Sequence, residues 1–241
     1  LNTLDPAVTH IDLIIVIGGD GSLLHAAQYA RDYDIPIIGV HRGRLGFLTD
    51  LSPDNAQDIE AILEGKYIEQ PRDFLTVQYT DTDEQQQTEY ALNDAVILPG
   101  DVVHMIEFDT YVNQQLLYEN RASGMIISTP TGSTAYSLSA GGPILHPTLD
   151  AIILVPMFPH TLASRPIVLK SNSRIKITIK ATNNFPPYLT CDGREKATLK
   201  LGSTVSITQH TQKLKLIHPE NYNYFERLHD KLGWERGNRR T

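Results

Sequence analysis

Cys191 is the chain's one cysteine, so no intramolecular disulfide can form, and a reducing cytoplasm is the simplest home. Its thiol reads as a small buried hydrophobe. Long apolar runs are also missing: residues 14–17 and 151–155 are far too short to cross a bilayer, and no membrane association is expected. Positive charge is in short supply, with 21 Lys and Arg against 28 Asp and Glu and a net charge of -7. That balance gives no broad basic surface for nucleic acid or anionic lipid, so any phosphate site must be built locally. Among nine histidines no HExxH-type pair occurs, and the sequence shows no dedicated metal cage. Repeats and low-complexity tracts are absent as well. Position 1 is Leu, with no charged-then-apolar signal segment after it, so the chain reads as trimmed at its N-terminus.

What is present can fill a core: 241 residues, 41% of them hydrophobic, suffice for one large domain or two moderate ones. A β-branched run over residues 11–17 predicts a buried parallel-type strand that ends at Gly18, Gly19, Asp20 and Gly21. Leu23, Leu24, Ala27 and Ala30 then recur at helical spacing, and residues 35–40 form a second apolar strand, an order that implies an α/β layer. Ser52, Pro53 and Asp54 read as an N-cap with proline at the first helical position, and Gly65 closes that helix. From residue 66 the texture changes to short alternating stretches at 75–79, 89–97, 105–112, 125–128, 174–180 and 204–217, the spacing of a β-sandwich. Residues 112–115 are set to reverse a hairpin. Over residues 222–234 a last helix places Tyr224, Phe225, Leu228 and Leu232 on one face. The expectation is therefore an α/β plus all-β protein: an α/β domain at 1–65, a sandwich at 66–220, and a C-terminal helix and solvated basic tail at 221–241 docking back on the α/β domain.

Three constellations carry chemistry. In the first, Gly18-Gly19-Asp20-Gly21-Ser22 joins a strand to a helix N-terminus, where glycines let backbone approach an anion and free N–H groups point at it. A carboxylate there needs another task, such as holding Mg²⁺ or taking a proton from an attacking hydroxyl. The plainer alternative is an ordinary turn with Asp20 as a helix cap. The second is Ser128-Thr129-Pro130-Thr131-Gly132-Ser133-Thr134-Ala135-Tyr136, followed by Ser137, Ser139, Gly141, Gly142 and Pro143. Backbone N–H groups and hydroxyls suit sugar and phosphate oxygens, and Tyr136 can flank a flat ring; the alternative is a polar loop between strands. Third, Asn93 and Asp94 follow strand residues and offer an amide and a carboxylate to ribose hydroxyls or an adenine edge, although such a pair by itself is more often a turn.

These groups, with residues 41–50 (HRGRLGFLTD) between them, resemble the bacterial NAD kinase family over nearly the whole chain. The family is marked by a GGDG turn, an LGFL segment, an Asn-Glu pair, a TPTGSTAY stretch with a following GGP, and a late aspartate, here Asp192. GGDG alone is shared with lipid kinases, whereas TPTGSTAY is specific. The resemblance implies a Rossmann-like α/β domain followed by a β-sandwich, forming a Mg²⁺-dependent phosphotransferase, Mg²⁺ or another divalent cation assisting, that moves the ATP γ-phosphoryl group to the 2′-hydroxyl of the adenosine ribose of NAD, in a dimer or tetramer. It makes Asp20 the proton acceptor with Gly21 beside it. Phe47 and Leu48 would border the adenosine, Asn93 and Asp94 would bind NAD, and Thr134, Ala135, Tyr136 and Ser139 would line the pocket with Thr131 and Asp192 close by. His104, Arg121 and Arg194 fall where relatives place further substrate contacts.

Three departures qualify that expectation. Asp94 stands where the family usually has glutamate, shortening the reach by about one C–C bond, ~1.5 Å. Ser123 replaces a usual aspartate near the nicotinamide amide, which serine can still bind. The strand-helix unit that normally precedes the GGDG strand is not found. The competing readings are a catalytically impaired dinucleotide-binding protein and, opposed by TPTGSTAY, a lipid kinase.

Overall fold

A computed structural model describes residues 10–43, 45–54, 56–101, 104–161 and 163–234; Leu1, Arg44 and the basic tail beyond Trp234 lie outside the described residues. Two compact units form, Leu1–Pro71 with Leu214–Thr241, and Arg72–Lys213. Chain order begins with β1 (Ile14–Gly18), α1 (Asp20–Tyr33), β2 (Ile37–His41) and α2 (Ala56–Leu63). Eight strands or short helices follow: β3 (Tyr67–Thr80), β4 (Gln86–Ala91), β5 (Asp94–Leu98), β6 (Ile106–Val112), β7 (Gln115–Ala122), β8 (Gly124–Ser128), a 3₁₀ turn at Thr131–Thr134 and α3 (Tyr136–Ser139). The remainder is β9 (Ala151–Met157), β10 (Ile167–Lys170), β11 (Ile175–Ile179), β12 (Tyr188–Cys191), β13 (Arg194–Thr198), β14 (Thr204–Pro219) and α4 (Tyr224–Leu232). The division between units falls within β3 and within β14, where composition does not change.

In the first unit, β1 pairs β2 in parallel from Ile14–Ile37 to Gly18–His41, and β2 pairs β14 in parallel at Leu216. A parallel pair needs a crossover, and α1 supplies it, burying Leu23, Ala27 and Ala30 along one stripe. Asp34 closes α1 in the left-handed region at φ 54°, its N–H bonded to the carbonyls of Ala30 and Arg31. Ile38, Val40, Leu51, Ile62 and Ile217 form the core. Two local expectations change here. β1 is parallel but not buried: it lies at the sheet's edge, and among the described residues no layer covers Ile17, which is 70% exposed. α2 begins at Ala56 instead of Pro53, because the Ser52 hydroxyl accepts from Asp54 N–H and forms a local turn before the helix.

The second unit is a β-sandwich. One sheet runs β10-β9-β8-β5-β12-β13, entirely antiparallel. Facing it, β11 pairs β14 on one side and β6 on the other, β6 pairs β7, and β3 pairs β4. Leu75, Val77, Phe108, Ile127, Leu154, Ile177, Leu189 and Val205 fill the space between the faces. Every side chain of β8 and β9 is buried, as befits central strands covered on both sides. The strand expected at 89–97 is broken: β4 ends at Ala91 and β5 starts at Asp94. A carboxylate from a distant hairpin takes the amides at the break, which a continuous ladder would need.

In α4, Asn223 caps the N-terminus by accepting from Phe225 and Glu226 N–H. Tyr224 and Leu228 are buried as the periodicity predicts, but Phe225 is 63% exposed, one residue off the buried stripe.

Candidate functional site

The GGDG turn does what a strand-to-helix turn requires, then adds a long-range contact. Gly19 is the helix N-cap without a side-chain cap bond, and Asp20 is the first helical residue. Its carboxylate is not a helix cap. Oδ1 accepts from Leu48 N–H (3.0 Å), Thr49 N–H (3.1 Å) and the Thr49 hydroxyl (3.1 Å), while Oδ2 accepts, among the described residues, from Phe47 N–H alone (2.8 Å). A carboxylate offers about four lone-pair sites, two per oxygen. Oδ1 is therefore saturated, and Oδ2 retains capacity for one more donor. Gly46 makes the approach possible, since a Cβ there would collide with the Asp20 carboxylate and the Thr49 hydroxyl. The structure brings Asp20 together with the amides of Phe47 and Leu48 and adds Thr49 and Gly46, whose roles are set by tertiary contact and not by residue type.

A second cluster lies within the sandwich. β12 and β13 are joined by a two-residue loop, Asp192 (φ 51°) and Gly193 (φ 72°), with Cys191 opposite Arg194. Two positive φ angles in an Asp-Gly pair define the hairpin turn whose twist matches the flanking strands. The turn aims the Asp192 carboxylate at the gap between β4 and β5, where it accepts from Leu92 (2.9 Å), Asn93 (2.7 Å) and Asp94 (3.3 Å) N–H groups. In return Asp192 N–H donates to the Asp94 carbonyl at 3.0 Å.

On the same loop rests the hydroxyl-rich segment. Thr129 donates its hydroxyl to the Leu92 carbonyl (2.6 Å) and its N–H to the Asn93 carbonyl (2.9 Å), and its hydroxyl oxygen accepts from Gly132 N–H (3.1 Å). Gly132 has to be glycine, because a Cβ would strike the Asn93 carbonyl. Ser133 ties the segment to Leu145, donating to its carbonyl and accepting from its N–H. Thr131 is buried and its hydroxyl oxygen has no hydrogen-bond partner among the described residues, while Tyr136 at the start of α3 is 43% exposed and Ser139 is exposed. Asn93, Asp94, Thr131, Thr134, Ala135, Tyr136, Ser139 and Asp192 thus belong to one connected region, and Thr129, which the sequence places in the hydroxyl-rich stretch but not among the substrate contacts, is its fastener.

Charge in this region is held at low dielectric. Burial pushes the Asp94 carboxyl from its ordinary 3.8 up to about 7, and the nearby Asp192 charge adds to the shift. Burial likewise raises Asp192, opposed by its three amide hydrogen bonds and by Arg194. It also pushes up the thiol of Cys191, which is buried and inert. A carboxyl that holds its proton more tightly when folded makes folding less favourable as pH rises from the unfolded value near 4 toward 7. Asp94→Asn, which removes the ionisation, is expected to melt on the order of 5 °C above the parent at pH 8, with the gap closing near pH 4. Parallel melting curves for the two proteins across that range would show that Asp94 ionises freely.

Other expected contacts lie elsewhere in the same unit. His104 and Arg121 line a small cavity of about 80 Å³ with Asp101, Glu107, Asn183 and Phe185, and this lining does not include the residues around Asp94. His104 Nδ1 is 3.4 Å from Asp101, and Arg121 Nε is 3.9 Å from Glu107, so each of these side chains already has a carboxylate beside it. Ser123, between β7 and β8, donates its N–H to the Met157 carbonyl. Gly21 is exposed in the first turn of α1.

A glycine turn opening a helix in an α/β unit, joined to a sandwich whose loops gather carboxylates and hydroxyls, is the equipment of a nucleotide-handling kinase. Residues 2–67 match the family model for the ATP-NAD kinase N-terminal domain, and residues 92–219 match that for the ATP-NAD kinase C-terminal domain. The chain belongs to the ATP-NAD kinase family. An NAD kinase of Teredinibacter turnerae is 50% identical over 224 residues, covering 92% of this chain and 76% of the relative. One from Coxiella burnetii is 52% identical over 225 residues, covering 93% and 75%. Among solved structures, yeast NADH kinase complexed with NADH aligns with a TM-score of 0.86 at 28% identity, over 97% of this chain and 69% of that one. An Archaeoglobus fulgidus NAD kinase in complex with ATP aligns at 0.74 and 25% identity, over 95% and 85%.

Proposed function

We propose that the protein transfers the γ-phosphoryl group of ATP to the 2′-hydroxyl of the adenosine ribose of NAD, giving NADP and ADP. The observation that carries this reading is the connection of Asp192, the 92–94 loop and the Thr129–Gly132 segment through backbone hydrogen bonds, which preorganises Asn93 and Asp94 toward a polar ligand. In the reaction the 2′-oxygen forms a bond to the γ-phosphorus, the bond from that phosphorus to the β,γ-bridging oxygen breaks, and ADP leaves. The hydroxyl proton passes to Asp20 Oδ2, the carboxylate oxygen with a single donor. Mg²⁺ carried on the ATP phosphates would neutralise developing charge. Gly21 and the start of α1 would receive phosphate.

Asn93 and Asp94 would hold NAD through its hydroxyls and amide; Thr134, Ala135, Tyr136 and Ser139 would line its rings and sugars, with Thr131 and Asp192 beneath. His104, Arg121, Ser123 and Arg194 would add outer contacts, and Phe47 and Leu48 would border the adenosine. A homodimer or homotetramer is proposed as well, supported by Phe158 at 73% exposure, an apolar ring suited to a partner subunit; light scattering tests it. The single cysteine supports a cytoplasmic setting. Among the described residues no helix is long and apolar enough to cross a membrane.

The test is a coupled assay of purified protein with ATP, Mg²⁺ and NAD, read by an NADP-specific dehydrogenase. NADP accumulation is expected. Saturable NAD binding without product would favour the impaired dinucleotide-binding reading, and absence of both would sink the assignment.

A further inference from the structure

The Asp20 clamp depends on the loop at 45–49, and α4, far along the chain, grips that loop. Lys231, in the last turn of α4, donates from Nζ to the Leu45 carbonyl. The same Nζ stands 5.8 Å from the centre of the Phe47 ring, inside the ~6 Å reach of a cation–π contact. One turn earlier, Arg227 Nη2 donates to the Asp50 carbonyl (3.4 Å) and lies 3.9 Å from the Asp50 carboxylate. Asp50 is also paired with His218, whose Nδ1 is 2.8 Å from Oδ2, both side chains being essentially buried. Thus both ends of the short segment that supplies the amides of Phe47, Leu48 and Thr49 are fixed from the C-terminal part of the same unit.

We propose that Lys231 is a positioning residue for the reaction: it holds Leu45 and Phe47 so that the loop keeps its amides on Asp20, leaving Oδ2 aimed and the Phe47 ring oriented. Chemistry makes a cation the right choice. An ammonium satisfies a carbonyl and an aromatic face at once, and an apolar residue of the same length satisfies neither. A displacement of about 1 Å in a positioning loop can cost roughly a hundredfold in rate, so a grip from outside the site matters to it. The inference rests on the proposed kinase reading for its activity arm only.

Lys231→Met keeps the length and removes the charge. Amide hydrogen exchange at Phe47, Leu48 and Thr49 is expected to accelerate by about tenfold, while the melting temperature stays within about 2 °C of the parent because Lys231 is exposed. NADP formation should lose about three- to tenfold in kcat/KM, and Lys231→Arg should restore most of both readouts. Lys200→Met, which removes another exposed cation paired with Glu84, controls for surface charge and should change neither. Unchanged exchange at the three amides in Lys231→Met overturns the proposal whether or not the protein is a kinase. Accelerated exchange in a protein that makes no NADP would uphold the grip and reject the kinase reading instead. Accelerated exchange with undiminished turnover would remove Lys231 from any part in the reaction.

Discussion

Asp20→Asn is expected to lower NADP formation by about 10²–10⁴, the usual worth of a positioned general base. The amide differs from the carboxylate in two ways at this site, and they are separable. It cannot take the hydroxyl proton, and its NH₂ group, wherever it points, faces an N–H donor: Phe47 on one side, Leu48 and Thr49 on the other. A fall in melting temperature should therefore accompany the loss of activity. Thr49→Val isolates the structural part, because it removes the hydroxyl donor to Oδ1 and leaves the carboxylate intact. That variant should retain activity within about tenfold while losing on the order of 1 kcal/mol of stability. If Asp20→Asn were no slower than Thr49→Val, Asp20 would be a structural clamp and the proton would have to go elsewhere.

Asp192→Ala is the second large effect. It leaves three backbone N–H groups of the 92–94 loop without their acceptor, and Leu92 and Asp94 are buried. Each stranded donor costs about 1–3 kcal/mol, so a total loss of several kcal/mol is expected, with the Asn93 and Asp94 side chains released from their alignment. NAD affinity should fall by about a hundredfold or more if both residues bind it. Removing the Asp192 charge also removes one cause of the raised Asp94 carboxyl, whose titration should move down toward the ordinary carboxylate range. Carbonyl-carbon NMR of Asp94 reads that movement directly. A variant that kept parental stability and NAD affinity would show that the loop holds its shape unaided.

Much of this arrangement was legible in the residues. Strand, glycine turn and helix at 14–33 follow from hydrophobic periodicity and from Gly18, Gly19 and Gly21, and the hydroxyl-rich segment at 128–139 stands out by composition. The sandwich was visible as alternation. What stayed hidden has a common physical character. The turn-prone Asn93-Asp94 pair hints at the break at Leu92–Asn93, but the carboxylate 100 residues away that takes its amides leaves no local trace. Thr129 and Thr49 look like any threonine until their hydroxyls meet a carbonyl or a carboxylate. The exposure of Ile17 depends on what lies beside an edge strand, and apolarity reports only what a side chain favours. Lys231 reads as a solvated helical charge, and only the fold brings it to Leu45 and Phe47.

The Asp-Gly hairpin at 192–193 carries a consequence for how the protein is born. Its carboxylate closes loops of 98 to 100 residues with the amides it receives, so the gap between β4 and β5 stays unfinished while a ribosome is still adding the intervening chain. Until residue 192 has been added, the amides at 92–94 lack this acceptor, and the nascent sandwich must wait, half-stitched, for one late turn to arrive.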